Sequence, residues 1–296
     1  MSARLSPSAC RPYGLGRVTR FWGFSRATIY RHRLPKRTGS DKKPGPIGPM
    51  PDTELVLAIR AILEDSPFHG EGYRKVWARL RFGGIRTSRR RVLRLMREHG
   101  LLAHQRAGRA HGPKAHDGKI ITETVDTMWG TDLTATMTGE GQAAIFIAVD
   151  HSSAECMGIH AARSANRFEA LEPIRQGVRA TFGGFAGKIA SGLALRHDHG
   201  SQYVSDHFQT EIRFLGIESS PAFVREPEGN GCAERFIRVI KENLLWVRHF
   251  ETIEDLRTAL QTFNETCNRT WIIERHGYRT PAQVRTDQSS ISAIAA

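Results

Sequence analysis

The segment AAIFIAV at residues 143–149 is the feature that most limits how this chain can fold. All seven residues are apolar, so the segment lacks the alternation of a strand with one exposed face. A continuous apolar run of this kind suits a strand inside a sheet that is covered on both faces. At 296 residues the chain is long enough to supply both covering layers and one or two small domains. We therefore predict a layered α/β domain around this strand.

Further short strands and helices surround this run. The strands are predicted at 126–133, 155–161, 193–198 and 216–220, and the helices at 168–181, 205–215, 234–247 and 253–264. The order βββαβαβα is typical of an RNase H-like core, in which helices pack on a mixed five-stranded sheet. We expect this core at residues 122–288, followed by a tail at 289–296.

Basic residues are concentrated in the first 120 residues. This part contains 26 Lys and Arg against 8 Asp and Glu, whereas residues 121–296 contain 17 against 22. Such a basic segment is typical of a protein that binds a polyanion. Since no long amphipathic helix with an aromatic face is present, a membrane surface is a poorer partner than nucleic acid.

The first basic module is predicted at residues 1–36. Segment 18–33 reads as two short helices that are separated at Gly23, with Ser25 as the cap of the second. The pattern is that of a helix-turn-helix, whose second helix lies in a DNA groove. Arg26 and Arg31 are therefore candidate DNA contacts, although a small hairpin that only packs on its neighbour would show the same pattern. Residues 37–51 read as a linker.

The second basic module, residues 52–104, is predicted to contain three helices. Apolar residues at helical spacing predict one helix that ends at Asp65, a second from Tyr73 to Leu80 and a third that begins at Ser88. An arginine-rich face is usually only solvated, but the density of arginine here favours contact with DNA phosphate. The candidate DNA contacts are Arg86, Arg89, Arg90, Arg94 and Arg97. Residues 105–121 read as a second linker.

Three acidic residues occur at informative places in the predicted core. Asp132 and Asp198 lie at the ends of predicted strands, and Glu234 begins a predicted helix. Carboxylates on rigid elements hold Mg²⁺ while phosphate and water occupy its other positions, and two such ions assist phosphodiester chemistry. A chain with 30 acidic residues offers many triples, so position alone does not establish this site.

The helix predicted at 234–247 presents two faces. At 100° per residue, its apolar side chains fall on one side, and Glu234, Arg238 and Lys241 fall on the other. An ordinary amphipathic helix would show the same pattern. Alternatively, Glu234 binds metal while Lys241 and Arg238 hold DNA phosphate beside it.

Together these segments resemble the DDE transposases of bacterial insertion sequences, in particular their second-reading-frame (OrfB-like) product, and more distantly the retroviral integrases. The resemblance covers almost the whole chain. It rests on GYRKVWARLR at 72–81, WGTDLT at 129–134, HDHGSQYVS at 197–205, EGNGCAERFIRVIKE at 228–242 and HGYRTP at 276–281. The chain departs from the family pattern at 223–229, where FVREPEG replaces the more common run.

The resemblance implies that Asp132, Asp198 and Glu234 are the catalytic residues and hold two Mg²⁺ ions, with Mn²⁺ as a substitute. It implies that Lys241 contacts the element end. The expected activity is cleavage of double-stranded DNA at terminal inverted repeats and transfer of the freed end into target DNA. Expected partners are these DNA segments, further copies of the chain on DNA, and an upstream-frame product.

Two alternatives are left open by the sequence. One is a catalytically silent DNA-binding repressor or domesticated transposase, and the other is an RNase H-like nuclease without strand transfer. Two basic modules favour an enzyme that recognises specific DNA ends. We expect a cytoplasmic, nucleoid-associated bacterial protein, because no membrane span or signal peptide is evident. Its four scattered cysteines are predicted to be free thiols.

Overall fold

The computed structural model describes residues 3–33, 50–103, 122–222 and 230–295. The chain divides into two compact units, residues 1–49 and 50–296. The predicted linker 105–121, most of the linker 37–51 and the unusual segment 223–229 lie outside the described residues.

The helices are α1 (Gly14–Phe21), α2 (Arg26–Arg33), α3 (Asp52–Asp65), α4 (Tyr73–Phe82), α5 (Arg89–Glu98), α6 (Arg167–Phe182), α7 (Ser201–Val204), α8 (Asp206–Phe214), α9 (Gly231–Ile240), α10 (Ile253–Thr270) and α11 (Pro281–Ala295). The strands are β1 (Met128–Thr138), β2 (Gly141–Asp150), β3 (Cys156–Ala162), β4 (Ala194–His197) and β5 (Glu218–Pro221).

The first unit contains the two predicted short helices, α1 and α2. They are separated at Gly23, whose φ of 68° is readily adopted only by glycine. The Ser25 hydroxyl accepts a hydrogen bond from the Ala27 backbone N–H at 3.2 Å, as expected of an N-cap. The helical pair predicted from the sequence is therefore confirmed in its secondary structure.

Helices α3, α4 and α5 form the predicted three-helix module. Its core is built from buried apolar side chains of all three helices: Leu55, Val56, Ile59, Val76, Leu80, Val92, Leu95 and Met96. The Ser88 hydroxyl caps α5 by accepting a hydrogen bond from the Arg91 backbone N–H. This module lies in the same compact unit as the sheet, and Phe68 packs edge-to-face against Trp271 beside α10.

The five strands form one mixed sheet in the order β3-β2-β1-β4-β5. Strand β1 is antiparallel to β2 and parallel to β4, and β5 is parallel to β4. The apolar run in β2 is buried throughout and alternates between two clusters. Ile145 and Ile147 pack under α9 and α10, whereas Ala144 and Phe146 pack under α6 and α8. The predicted strand covered on both faces and the RNase H-like mixed sheet are thus confirmed.

Several boundaries differ from the sequence predictions. Strand β1 does not end at Leu133 but continues to Thr138, because its distal half pairs with β2 in a hairpin. The helix that carries Glu234 is α-helical only to Ile240 and continues as a π-helical turn at Lys241–Leu245. Helix α11 was not predicted, and it extends into the segment assigned as a tail.

The described residues contain no helix that is both long and apolar enough to cross a membrane.

Candidate active site

Asp132 lies on β1, and Asp198 lies immediately after the neighbouring parallel strand β4. The β1–β4 register pairs Gly130 with Arg196, so each acid lies two residues beyond a paired position. Adjacent strands are about 4.8 Å apart. Side chains two residues apart on a strand share a face, so the register brings both carboxylates to the same face of the sheet.

That face is the one covered by α9 and α10. Asp132 pairs across the sheet with Ile147, whose side chain belongs to the cluster under these helices. The neighbouring His197 has the opposite orientation, and its ring packs near Tyr203 and Phe208 on the α8 side. The alternation of the strand therefore separates His197 from the carboxylates.

Glu234 reaches the same region from the first turn of α9. The start of this helix is fixed by Asn230, whose side-chain amide donates a hydrogen bond to the Thr131 carbonyl at 2.9 Å. Thr131 immediately precedes Asp132, so this bond ties the helix start to the strand that carries the first acid. Glu234 itself is exposed on the helix surface.

The electrostatics connect the three acids with Lys241. The pKa of Asp132 is raised to about 6, mainly by burial and also by the charges of Asp198 and Glu234, whereas the charge of Lys241 acts in the opposite direction. Burial also raises the pKa of Glu234. Asp198, Glu234 and Lys241 thus all lie near enough to Asp132 for their charges to act on it.

The donor set of this site fits a hard cation. Three carboxylates supply only oxygen ligands, which Mg²⁺ prefers, and the mutual repulsion that raises the pKa of Asp132 would be relieved by a cation between them. As placed, however, no three His, Cys, Asp or Glu side chains in the described ranges are grouped closely enough to hold a metal ion. The carboxylates would have to approach one another further to share one.

The loop after β4 orients Asp198. The Gly200 backbone N–H donates a hydrogen bond to the Asp198 carboxylate at 2.8 Å. A Cβ at Gly200 would lie 2.9 Å from that carboxylate and 2.4 Å from the Gln202 amide, so a larger residue here would displace these side chains. Tyr203, in the short helix α7, is fully buried behind the loop.

The predicted DNA contacts fall into two groups. Arg94 pairs with Asp52 and Glu98, Arg89 lies 3.5 Å from Glu274, and Arg238 pairs with Glu242. The other described candidates, Arg26, Arg86, Arg90 and Arg97, are exposed, as are Arg89 and Arg238. The side chain of Arg31 lies outside the described residues. Lys241 is half-buried beside the acids.

Sequence reasoning missed the role of Gly130 in the site. A Cβ at this position would lie 2.5 Å from the Asn230 side-chain oxygen and 2.7 Å from His151 Nε2. Glycine at this position therefore lets the start of α9 and the loop that contains His151 approach β1 closely. The position of Gly130, two residues before the candidate acid in WGTD, was the available signal.

Replacing Gly130 by Ala is expected to displace the start of α9. The added methyl group would break the bond between Asn230 and Thr131 and lower the free energy of unfolding by about 1–3 kcal/mol. Amide hydrogen exchange should show faster exchange in α9 than in the wild type. The matched control is Gly231→Ala, because a Cβ there meets nothing within 4 Å. Equal exchange in both variants would contradict this account.

Comparisons with known proteins agree with the sequence resemblance. A family model described as an HTH-like domain matches residues 51–109. The transposase InsD of insertion element IS2 from Escherichia coli is 26% identical over 284 residues, which cover 92% of this chain and 91% of that protein. A 48.2 kDa uncharacterized IS2A protein from the same organism is 26% identical over 94% of this chain, and the match spans 66% of its own length.

Among solved structures, that of the HTLV-2 integrase catalytic core domain in complex with magnesium is similar to this chain. It is 17% identical, with a TM-score of 0.42, over 55% of this chain and 97% of that one. The sequence matches, which extend over most of the chain, make the protein a homologue of the InsD transposases of insertion element IS2.

Proposed function

We propose that this protein is a DDE transposase that binds the ends of an insertion element and catalyses DNA cleavage and strand transfer. The observation that carries this proposal is that the charges of Asp198, Glu234 and Lys241 all act on Asp132, which lies on the sheet face covered by α9 and α10. Homology to transposases supports the same activity. Residues 52–104 serve as a DNA-binding domain, and residues 122–288 serve as the catalytic core.

The three acids would hold Mg²⁺, with Mn²⁺ as a substitute. When bound, two such ions supply an activated nucleophile and charge stabilisation for in-line phosphodiester chemistry. Asp132 and Asp198 are carried by the sheet and Glu234 by a helix fixed to it, so the carboxylates are positioned by rigid elements. Their positions relative to DNA would decide which phosphodiester is cleaved.

Basic side chains would hold DNA against the site formed by the three acids. Lys241 lies close enough to Asp132 to act on its pKa, which supports a role for this cation in holding a phosphate next to the reacting bond. The exposed Arg86, Arg90 and Arg97 in or beside α5 would contact phosphates further along the duplex. Arg89, Arg94 and Arg238 would first have to leave their acidic partners.

The proposal predicts metal-dependent joining of element ends by the full chain. Purified protein is mixed with labelled duplex ending in the inverted repeats that flank its gene, together with a supercoiled target plasmid. We expect 3′-end cleavage and joined products in Mg²⁺ or Mn²⁺ and neither product in EDTA. Gel electrophoresis of the labelled strands measures both steps.

The controls in this experiment separate the alternatives. A duplex with a scrambled end should be neither cleaved nor joined. Cleavage without joining would favour a nuclease, and end binding with no cleavage in any metal would favour a DNA-binding repressor. The reaction is repeated with the product of an overlapping upstream frame, since a partner of that kind is part of the proposal. Analytical ultracentrifugation of the DNA complex tests for the expected oligomer.

A further inference from the structure

A second site lies on the opposite side of α9 from Glu234. A cavity of about 750 Å³ is enclosed by α4, α9, the end of α10 and the segment 271–281. Its α9 wall includes Cys232, Arg235 and Val239. At 100° per residue Cys232 and Val239 lie on the far side of the helix from Glu234, and Arg235 lies about a quarter turn from it. The cavity is therefore separate from the carboxylate site.

The lining of the cavity combines an apolar wall with several cations. Trp271, Phe236 and Ile272 are among its apolar residues. Its cationic side chains are Arg74, Lys75, Arg235 and Arg275. Cavities of roughly 300–1,000 Å³ with mostly apolar walls and a few convergent polar groups are typical of small-molecule sites.

The positive charge of this lining is poorly compensated within the described residues. The only acid in the lining, Glu274, is bonded to Arg74 at 2.9 Å. Glu71, which attracts Lys75, already accepts two hydrogen bonds from Arg79, at 2.8 and 2.9 Å. An anion in the cavity would therefore meet cations whose nearby carboxylates are already paired.

Lys75 is the most unusual of these cations. Its Nζ is buried and has no hydrogen-bond acceptor in the described part of the chain, and it lies 2.8 Å from the centre of the Trp271 ring. The pKa of this amine is lowered to about 7, mainly by burial and also by the charges of Arg79 and Arg235. Leaving a buried amine without an acceptor is costly, and an anionic ligand would supply one.

We propose that this cavity binds a nucleotide, with its phosphate held by Lys75 and Arg235 and its base against the apolar wall. A nucleotide combines the two properties that the lining selects, a flat apolar ring system and an anionic group. The ligand would be either a free nucleotide or an unpaired nucleotide displaced from DNA. The site does not depend on the carboxylates, so its test is independent of DNA cleavage.

Pyridoxal 5′-phosphate is a suitable probe because it carries a flat ring, a phosphate and an aldehyde. The neutral amine of Lys75 adds to the aldehyde carbon and water leaves as the C=N bond forms. Borohydride then delivers hydride to the carbon, and solvent supplies the proton to nitrogen. The resulting secondary amine is located by peptide mass spectrometry of the full chain.

We expect labelling at Lys75 to exceed labelling at the exposed Lys188 by at least about tenfold at pH 7.5. An amine with a pKa of about 7 is largely neutral at this pH, whereas an ordinary lysine, with a pKa of about 10.4, is not. Millimolar dAMP should protect Lys75. In the Arg235→Gln variant this protection should need about tenfold more dAMP, because one phosphate contact is lost.

Two duplexes distinguish the sources of the nucleotide. Protection of Lys75 by dAMP but not by a duplex with an unpaired 3′ nucleotide would identify a free nucleotide as the ligand. Protection by that duplex would identify a nucleotide displaced from DNA. Equal labelling of Lys75 and Lys188 would overturn the proposal. The proposal would also be overturned if a fully paired duplex protected Lys75 as strongly as dAMP or the duplex with an unpaired nucleotide. It would likewise be overturned if none of these probes protected Lys75.

The Lys75→Met variant tests whether the label is attached to Lys75. This variant keeps the apolar stem and removes the buried amine, so it is expected to fold and to lose only the Lys75 label. If it fails to fold, the wild-type labelling and protection pattern still decides the proposal, because it needs no variant.

Discussion

Replacing Asp132 by Asn, Asp198 by Asn or Glu234 by Gln is expected to abolish DNA cleavage and joining while leaving end binding nearly intact. Each change removes one anionic ligand without changing side-chain size, so the losses should be on the order of 10³-fold or more. Binding should persist because the basic helical modules are untouched. The measurements are strand cleavage and joining on labelled inverted-repeat DNA, and mobility shift for binding.

A matched acidic control comes from the same sheet. Glu218 in β5 is exposed and lies outside the candidate site, so Glu218→Gln should cleave and join DNA at the wild-type rate. A comparable loss of DNA cleavage and joining in Glu218→Gln would point to a general effect of removing negative charge. Retained cleavage by all three site variants would refute the assignment of the acids.

A second large effect is expected for Gly158→Ala in β3. A Cβ at this position would lie 2.1 Å from the Pro173 carbonyl oxygen and 2.7 Å from its carbonyl carbon. Both atoms belong to the backbone of α6, so the whole helix would have to shift. Overpacking of this kind costs about 3 kcal/mol, and denaturant unfolding of the full chain should show a loss of this size in the free energy of unfolding.

The expected loss is large because α6 has little room to move. A Cβ at Gly177 would lie 2.7 Å from the Trp129 ring, so this helix already packs tightly on β1 as well as on β3. Gly72→Ala is the control, since a Cβ there meets nothing within 4 Å. If Gly158→Ala were no less stable than Gly72→Ala, the close packing of α6 on the sheet would be wrong.

Much of the core could be predicted because its signals are local in sequence. The apolar run at 143–149 predicts a strand covered on both faces, and the structure confirms it. The candidate acids were found for a similar reason, since each stands at a recognisable place in its own element.

Boundaries were less predictable where pairing extends an element. Residues 134–138 of β1 carry little apolar signal of their own, and they are strand because β2 folds back along them. Helix α11 is held at Arg285, which forms ion pairs with Asp126 and Glu155 far away in the chain. No window of sequence around either element contains these partners.

The order of strands and helices and the basic first part of the chain were available from sequence, since each depends on residue types within local segments. The candidate acids lie far apart in the chain and were singled out by the short motifs around them, WGTDLT, HDHGSQYVS and EGNGCAERFIRVIKE. Only the tertiary structure showed that Arg89 and Arg94 have acidic partners, that Gly130 admits the start of α9, and that a cationic cavity lies behind this helix. These features depend on which surfaces of distant segments meet. A sequence pattern specifies the faces of one element but not the neighbour that each face will contact.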